Sequence, residues 1–337
     1  MQCTRPAAAV AASTLDAVAT RTPAQARRRP GIVATTLVAV LCAATIPACA
    51  DQTTPPRVAR ADAAGLAAQR RERLLRRNLD AAVSMPETTL ANRQAAWRQL
   101  PVGERVARWA EFFLARGATT YLFGLKPGGY VADSLLVQDF RQDCVLFSYR
   151  CAELAQTTSP PDAVLWALVT RFAGAPPDSV VSGRGGVDYD SPAHLDDSLD
   201  IVRSGLWGRD VTEEVGVAVP DTAGTKRYPP GSFSYIPSTQ LRLDRLADGD
   251  FLYFVFDENQ PRGRKMRQEY GTPIGHQGIV RRAGARVDVI HAAISALPGE
   301  YEGNRVVRVS LPTYLRRVES WKGVIVTRLV DPAAQPR

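Results

Sequence analysis

The sequence predicts an α+β protein in which helices come first and a mostly antiparallel sheet follows. Three observations predict it. The first half carries Ala-, Leu- and Arg-rich stretches whose apolar residues recur at helical spacing, such as Val106, Trp109, Phe112 and Phe113. The second half carries five short runs rich in Val, Ile and Phe, at 250–256, 277–281, 287–292, 306–309 and 324–329. Short turns separate those runs, and only one helical stretch, 313–318, interrupts them.

The chain of 337 residues begins with a leader, 1–49. Arg27-Arg28-Arg29 precede an apolar run from Ile32 to about Thr45, which ends in Ile46-Pro47-Ala48-Cys49. A basic segment, a short apolar segment and small residues at the end make a secretory signal. The run is short for a bilayer span. Two cleavages compete: Ala48-Cys49-Ala50 suits ordinary signal peptidase, and Ile46–Cys49 resembles a bacterial lipobox with Cys49 lipidated. Either way the expectation is an exported, periplasmic protein, with a possible membrane anchor at Cys49. The leader also carries about half the formal charge of +8, and outside it no basic block or basic-aromatic alternation occurs. Nucleic acid is therefore not an expected partner.

Residues 50–62 are polar and Pro-containing and read as a linker, and 63–104 as an N-terminal helical segment with a solvated helix over 63–79. A helix is predicted over 102–115 and another over 163–172 after Pro160-Pro161. Between them, Arg141-Gln142-Asp143-Cys144 lead into an apolar stretch to Leu154 that reads as a buried helix. Asp143 is placed as its N-cap and Cys144 in its first turn, where free N–H groups and the helix dipole stabilise a thiolate. The plainer reading of Cys144 is a small buried apolar residue. Cys144 and Cys151, the cysteines left after the leader, lie about two helical turns or 10.5 Å apart along one axis. That is too far for a disulfide. A thiol kept unpaired after export hints at use.

The chain has three histidines, His194, His276 and His291. A hairpin turning at Ala283-Gly284 makes His276 and His291 direct cross-strand partners. Paired imidazoles suit a base-and-orienter relay for a thiol. They also suit half a zinc site, or two half-buried rings bonded across a sheet. The sequence has no HExxH and no second close Cys or His, which argues against a metal.

Taken together these segments resemble the NlpC-type cell-wall amidases of the papain superfold, in the N-acetylmuramoyl-L-alanine-amidase-like branch. The residues that carry the likeness run in order from about Arg105 to Leu329. They are TTYLFG at Thr119–Gly124, LLVQDFRQDC ending at Cys144, DYDSPAH ending at His194, and Asp210-Val211-Thr212. Gly249-Asp250 before a strand, HQGIV with VIHAA, and the closing TYLRR and GVIVTRL follow. The resemblance implies a papain-like cysteine hydrolase fold over 105–331. It implies Cys144 as nucleophile, His276 as general base and His291 as orienting third member, with no cofactor and no metal. Oxyanion donors would be the Cys144 N–H and a group from the tyrosine segment, Tyr121 fitting best and Tyr130 next. His194 falls at a substrate-side position, where a loop hydrogen bond explains it equally well. Asp143 is either a substrate contact or a plain cap. The pattern departs at Leu146–Tyr149, where an acidic residue is missing, and at Pro192 and Leu199 in the groove.

The implied activity is hydrolysis of an amide in peptidoglycan stem peptides, either muramoyl–L-alanine or a bond within the stem. Peptidoglycan or its muropeptides are the implied partner. Two alternatives stay open: a non-catalytic envelope lipoprotein that binds cell-wall fragments or a protein, and a thioester-based acyltransferase.

Overall fold

A computed structural model describes residues 57–195, 198–223 and 231–331, with side chains from residue 67 onward except those of 269 and 270. The leader, Cys49 and linker residues 50–56 lie outside the described residues. The chain divides into residues 1–54 and 55–337, and every described residue belongs to the second unit.

Three helices come first: α1 (Arg57–Leu79), α2 (Glu87–Trp97) and α3 (Val102–Arg116). Helix α1 starts six residues inside the stretch read as linker, because after Pro56 its sequence is Ala- and Arg-rich with a single interior glycine, Gly65. The expected boundary at 104/105 falls inside α3, which runs unbroken to a C-terminal Gly117 at φ 61°. Its apolar stripe of Val102, Val106, Trp109 and Phe113 is buried. The short strands β1 (Thr120–Tyr121) and β2 (Arg141–Gln142) then flank a loop, and helix α4 (Cys144–Gln156) follows directly. Next come α5 (Pro160–Arg171), capped by Ser159, and the single turn α6 (Pro177–Val180). Helix α7 (Ser198–Ser204), strand β3 (Arg209–Asp210) and the turn α8 (Thr212–Val215) complete the first half.

The second half is sheet: β4 (Val219–Ala223), β5 (Gly231–Pro237), β6 (Phe251–Phe256), β7 (Ile274–Ala283), β8 (Arg286–Ala293), β9 (Arg305–Ser310) and β10 (Trp321–Arg328). Helix α9 (Pro261–Tyr270) joins β6 to β7, and α10 (Leu311–Arg317) joins β9 to β10. The strand order is β2-β1-β9-β8-β7-β6-β10-β5-β4, with β3 on the edge of β10. Every pairing is antiparallel except β1 with β2. The architecture is therefore the expected α+β one.

Strand β6 explains how the sheet is covered on both faces. All six of its residues, Phe-Leu-Tyr-Phe-Val-Phe, are buried. Phe251, Tyr253 and Val255 join the core that includes Trp109, Phe113 and Phe147 of α3 and α4. Leu252, Phe254 and Phe256 join the opposite core with Tyr314 of α10 and Trp321. Side chains alternate across a strand, so an unbroken apolar run needs cover on both sides. Among the described residues no helix is long and apolar enough to cross a membrane.

Candidate active site

Helix α4 begins where the sequence places it. Asp143 is its N-cap, in extended conformation, and its Oδ1 accepts from the Leu146 N–H at 2.8 Å. Its Oδ2 accepts from the Gly124 N–H at 3.0 Å, tying the helix start to the loop after Tyr121. The carboxylate is buried, and both oxygens are engaged by the chain's own backbone. This is the arrangement of a cap and a loop tie, the plainer of the two readings of Asp143.

Cys144 is the first residue of α4, 9% exposed and free of any disulfide. Burial and the neighbouring Asp143 carboxylate push its thiol up to about 12, while the backbone N–H groups of Gln277, Cys144 and Val145 pull the other way. The expected helix-tip stabilisation of a thiolate is present but outweighed, because the sulfur is removed from water beside a negative charge. The resting group is a thiol, and a base would be required to ionise it.

The base candidates stand on the adjacent strand. Gln277, whose backbone N–H favours the Cys144 thiolate, follows His276 on β7. His276 Nε2 lies 2.8 Å from His291 Nδ1 of β8. The rings are perpendicular, with centroids 4.8 Å apart. Burial, then the charge of Arg262, drives His276 down to about 3, and burial and His276 drive His291 down as well. Both imidazoles are thus neutral at rest. One proton serves the bond between them, and if His276 carries it on Nε2, its Nδ1 lone pair is open to accept from a thiol.

The hairpin register differs from the expected one. Arg281 faces Asp288 and Ala283 faces Arg286, so the turn is Gly284-Ala285. Gly284 has φ 62° and Ala285 is not left-handed, the glycine-first pattern of a type II′ turn. Continued along the ladder, that register puts Gly278 opposite His291 and makes His276 its diagonal neighbour. Imidazoles bridge a diagonal because long and ring side chains reach it. A bulge at Gly275 re-aims His276: Phe254 pairs with His276, whereas Val255 pairs with Ile274.

An aromatic box surrounds the two rings. Phe254, Tyr314 and Trp321 stand 5.7, 6.3 and 6.1 Å from His276, and Tyr301 and Tyr314 stand 5.4 and 4.9 Å from His291. The Tyr121 and Tyr314 phenols are both raised, chiefly by burial and also by the Cys144 sulfur, so both lie within electrostatic reach of it. Tyr130 instead packs in the core beneath, edge-on to Tyr189. His194 is placed away from the two imidazoles: its Nδ1 meets the Tyr189 carbonyl at 3.1 Å and its ring packs on Phe172 and Tyr189. The loop reading of His194 therefore describes its position. Among the described residues, no group of three or more His, Cys, Asp or Glu is placed to hold a metal ion.

Sequence reasoning did not single out Gln277, Tyr314, Trp321 or Arg262. Tyr314 lies in the TYLRR segment and Trp321 two residues before GVIVTRL, so their aromatic character was the available signal. Arg262 is one of many arginines, and nothing in the pattern distinguishes it.

The molecule is thus a mixed α+β protein in which the helix that starts at Cys144 packs on a β-hairpin bearing two hydrogen-bonded histidines, one on each strand. A Legionella pneumophila protein of the DUF1460 family shares this fold, with a TM-score of 0.52 and 15% identity over 72% of this chain and 94% of its own. An N-acetylmuramoyl-L-alanine amidase from Bacteroides uniformis superposes with a TM-score of 0.49 and 18% identity over 68% of this chain and 99% of its own. No protein-family model matches the sequence, and no curated protein matches it.

Proposed function

We propose that the protein is an exported cysteine amidase that hydrolyses an amide bond of peptidoglycan stem peptides. The observation that carries this reading is the Cys144 thiol at the α4 tip, acted on by the backbone N–H of Gln277, the residue after a His276 whose ring is bonded at 2.8 Å to His291. The substrate class follows from the resemblance of the motifs around these residues to cell-wall amidases of papain-like fold.

In the proposed reaction the Cys144 proton passes to His276 Nδ1 as the sulfur attacks the amide carbonyl. The resulting oxyanion accepts from the Cys144 N–H and from the Tyr121 hydroxyl. Protonated His276 gives its proton to the leaving nitrogen, the C–N bond breaks, and a thioester and a free amine result. Water, deprotonated by His276, attacks the thioester and restores the thiol with release of a carboxylic acid. His291 holds the imidazole in register and supports its transient charge. Burial disfavours both the thiolate and the imidazolium, so proton transfer belongs to the attack step and no standing ion pair is required. Lipidation at Cys49 would hold the enzyme at a membrane facing its polymer.

The test is digestion of purified sacculi and defined muropeptides by the wild type and Cys144→Ala, with products identified by mass spectrometry. New amino and carboxyl ends appearing only with the wild type support the reading. Intact substrate with a folded wild type overturns it.

A further inference from the structure

Helix α9 connects β6 to β7 at the end of the sheet where His276 lies, and it opens on Pro261-Arg262. Arg262 is exposed, and its guanidinium carbon stands 5.7 Å from the Phe256 ring and 5.9 Å from the Trp321 ring. Trp321 in turn lies nearly parallel to His276, with interplanar angle 12° and centroids 6.1 Å apart. The cation is therefore no more than about 12 Å from the His276 ring, the span of three to four extended residues.

Two ring faces receive this cation, but no anion of the described residues is paired with it. Two cations of the same helix are engaged: Arg264 donates to the carbonyls of Glu258 and Asn259, and Arg267 pairs with Asp221. Arg262 meets no carboxylate among the described residues, and its contacts are the two aromatic rings. It also sits in the first turn of a helix that has no acidic residue there, where the dipole disfavours positive charge. The rest of α9 is pinned. Arg267 Nη1 bonds Asp221 Oδ2 at 2.7 Å, and Lys322 Nζ bonds the same Asp221 oxygen at 2.8 Å and Glu258 Oε2 at 2.8 Å. The guanidinium is thus presented from a fixed frame, exposed and within cation–π reach of two aromatic rings. That is how arginine is set to receive a carboxylate in a forked pair.

We propose that Arg262 anchors a carboxylate of the substrate, within about three to four residues of the His276 ring, and so selects acidic peptides. The inference rests on the amidase reading for the bond, but not for the binding. The field of Arg262 reaches the site, since it acts on His276, Tyr121 and Tyr314. A bound carboxylate would offset that field at His276 and make it a better base.

The experiment uses N-acetylmuramoyl-L-alanyl-D-glutamate as free acid and as diamide. Binding of each is titrated to Cys144→Ala protein by calorimetry, and turnover of each is followed with the wild-type thiol. The expected result is a preference of about tenfold or more for the free acid, falling to near parity in Arg262→Gln and partly kept in Arg262→Lys. Equal affinity for the two forms, no affinity for either, or a preference that survives Arg262→Gln overturns the inference. Acid-selective binding without turnover would retain Arg262 as the anchor and remove the amidase reading. Turnover without acid preference would do the reverse.

Discussion

Gly278 of β7 stands against His291 of β8: a Cβ at Gly278 would lie 3.3 Å from the His291 Cβ and 2.5 Å from a Val289 methyl. The vacant side-chain position lets the His291 ring and the diagonal His276 ring meet. Gly278→Ala should displace His291 or Val289 and destabilise the fold by about 1–3 kcal/mol. Urea unfolding measures the loss. Proton NMR of the ring N–H should show the bond between the imidazoles weakened, and an unshifted resonance would contradict this account.

The two imidazoles predict a pH dependence of stability with a definite sign. Their folded values lie below the ordinary 6.5, His276 near 3. Below about 6.5 the unfolded chain binds protons that the folded chain refuses, so stability present above that value is lost as pH falls toward about 3. The urea midpoint should drop between pH 7 and pH 4 more steeply in the wild type than in His276→Gln/His291→Gln. Asp221, held down to about 2 despite its partial burial by Arg267 and Lys322, adds a similar loss only at lower pH. If amide hydrolysis requires neutral His276, the acid limb of kcat/KM should likewise fall well below 6.5.

Asp143 has opposing effects that one substitution separates. Its carboxylate caps α4 and holds Gly124, yet its charge helps to keep the Cys144 thiol protonated. Asp143→Asn keeps an oxygen for the cap but sets its NH2 against the Gly124 N–H, and should cost about 1–3 kcal/mol of stability through the lost loop tie. It should also lower the Cys144 value and speed iodoacetamide labelling at pH 8. Labelling is best followed in Cys151→Ala, since Cys151 is the other buried thiol of the described residues. Slower labelling in the folded variant would show that the carboxylate does not oppose the thiolate.

Beneath α4 lies a buried ionic cluster. Arg150 Nε meets Asp139 Oδ1 at 2.9 Å, and Glu153 accepts from Arg171 Nε at 2.8 Å and Nη2 at 2.9 Å. All four side chains are at most 1% exposed. Glu153→Gln would leave the Arg171 charge without its partner and should destabilise by about 3–5 kcal/mol. Thermal unfolding checks this, and a change under 1 kcal/mol would mean that water or a shifted side chain takes over.

Much of this arrangement was legible in the residues. The Asp143 cap, the α4 start at Cys144 and the five later strands follow from local chemistry, which is why their positions were readable. The β7–β8 register was not, because Ala283-Gly284 and Gly284-Ala285 are both possible turns. Placing the glycine first moved the facing partner of His291 by two residues. The hairpin of β4 and β5 and helix α9 also escaped notice, since α9 presents Arg and Lys rather than an apolar stripe. The His276 bulge depends on the packing of Gly275 against the Phe256 ring, a tertiary contact that no periodicity encodes.

The two imidazoles ride one reversal of the chain, 15 residues apart, whereas the sulfur arrives from another element about 130 residues earlier. Any event that lifts α4 from the sheet would leave the histidine couple assembled and the reagent missing. The proposed chemistry would accordingly exist only while helix and hairpin stay docked.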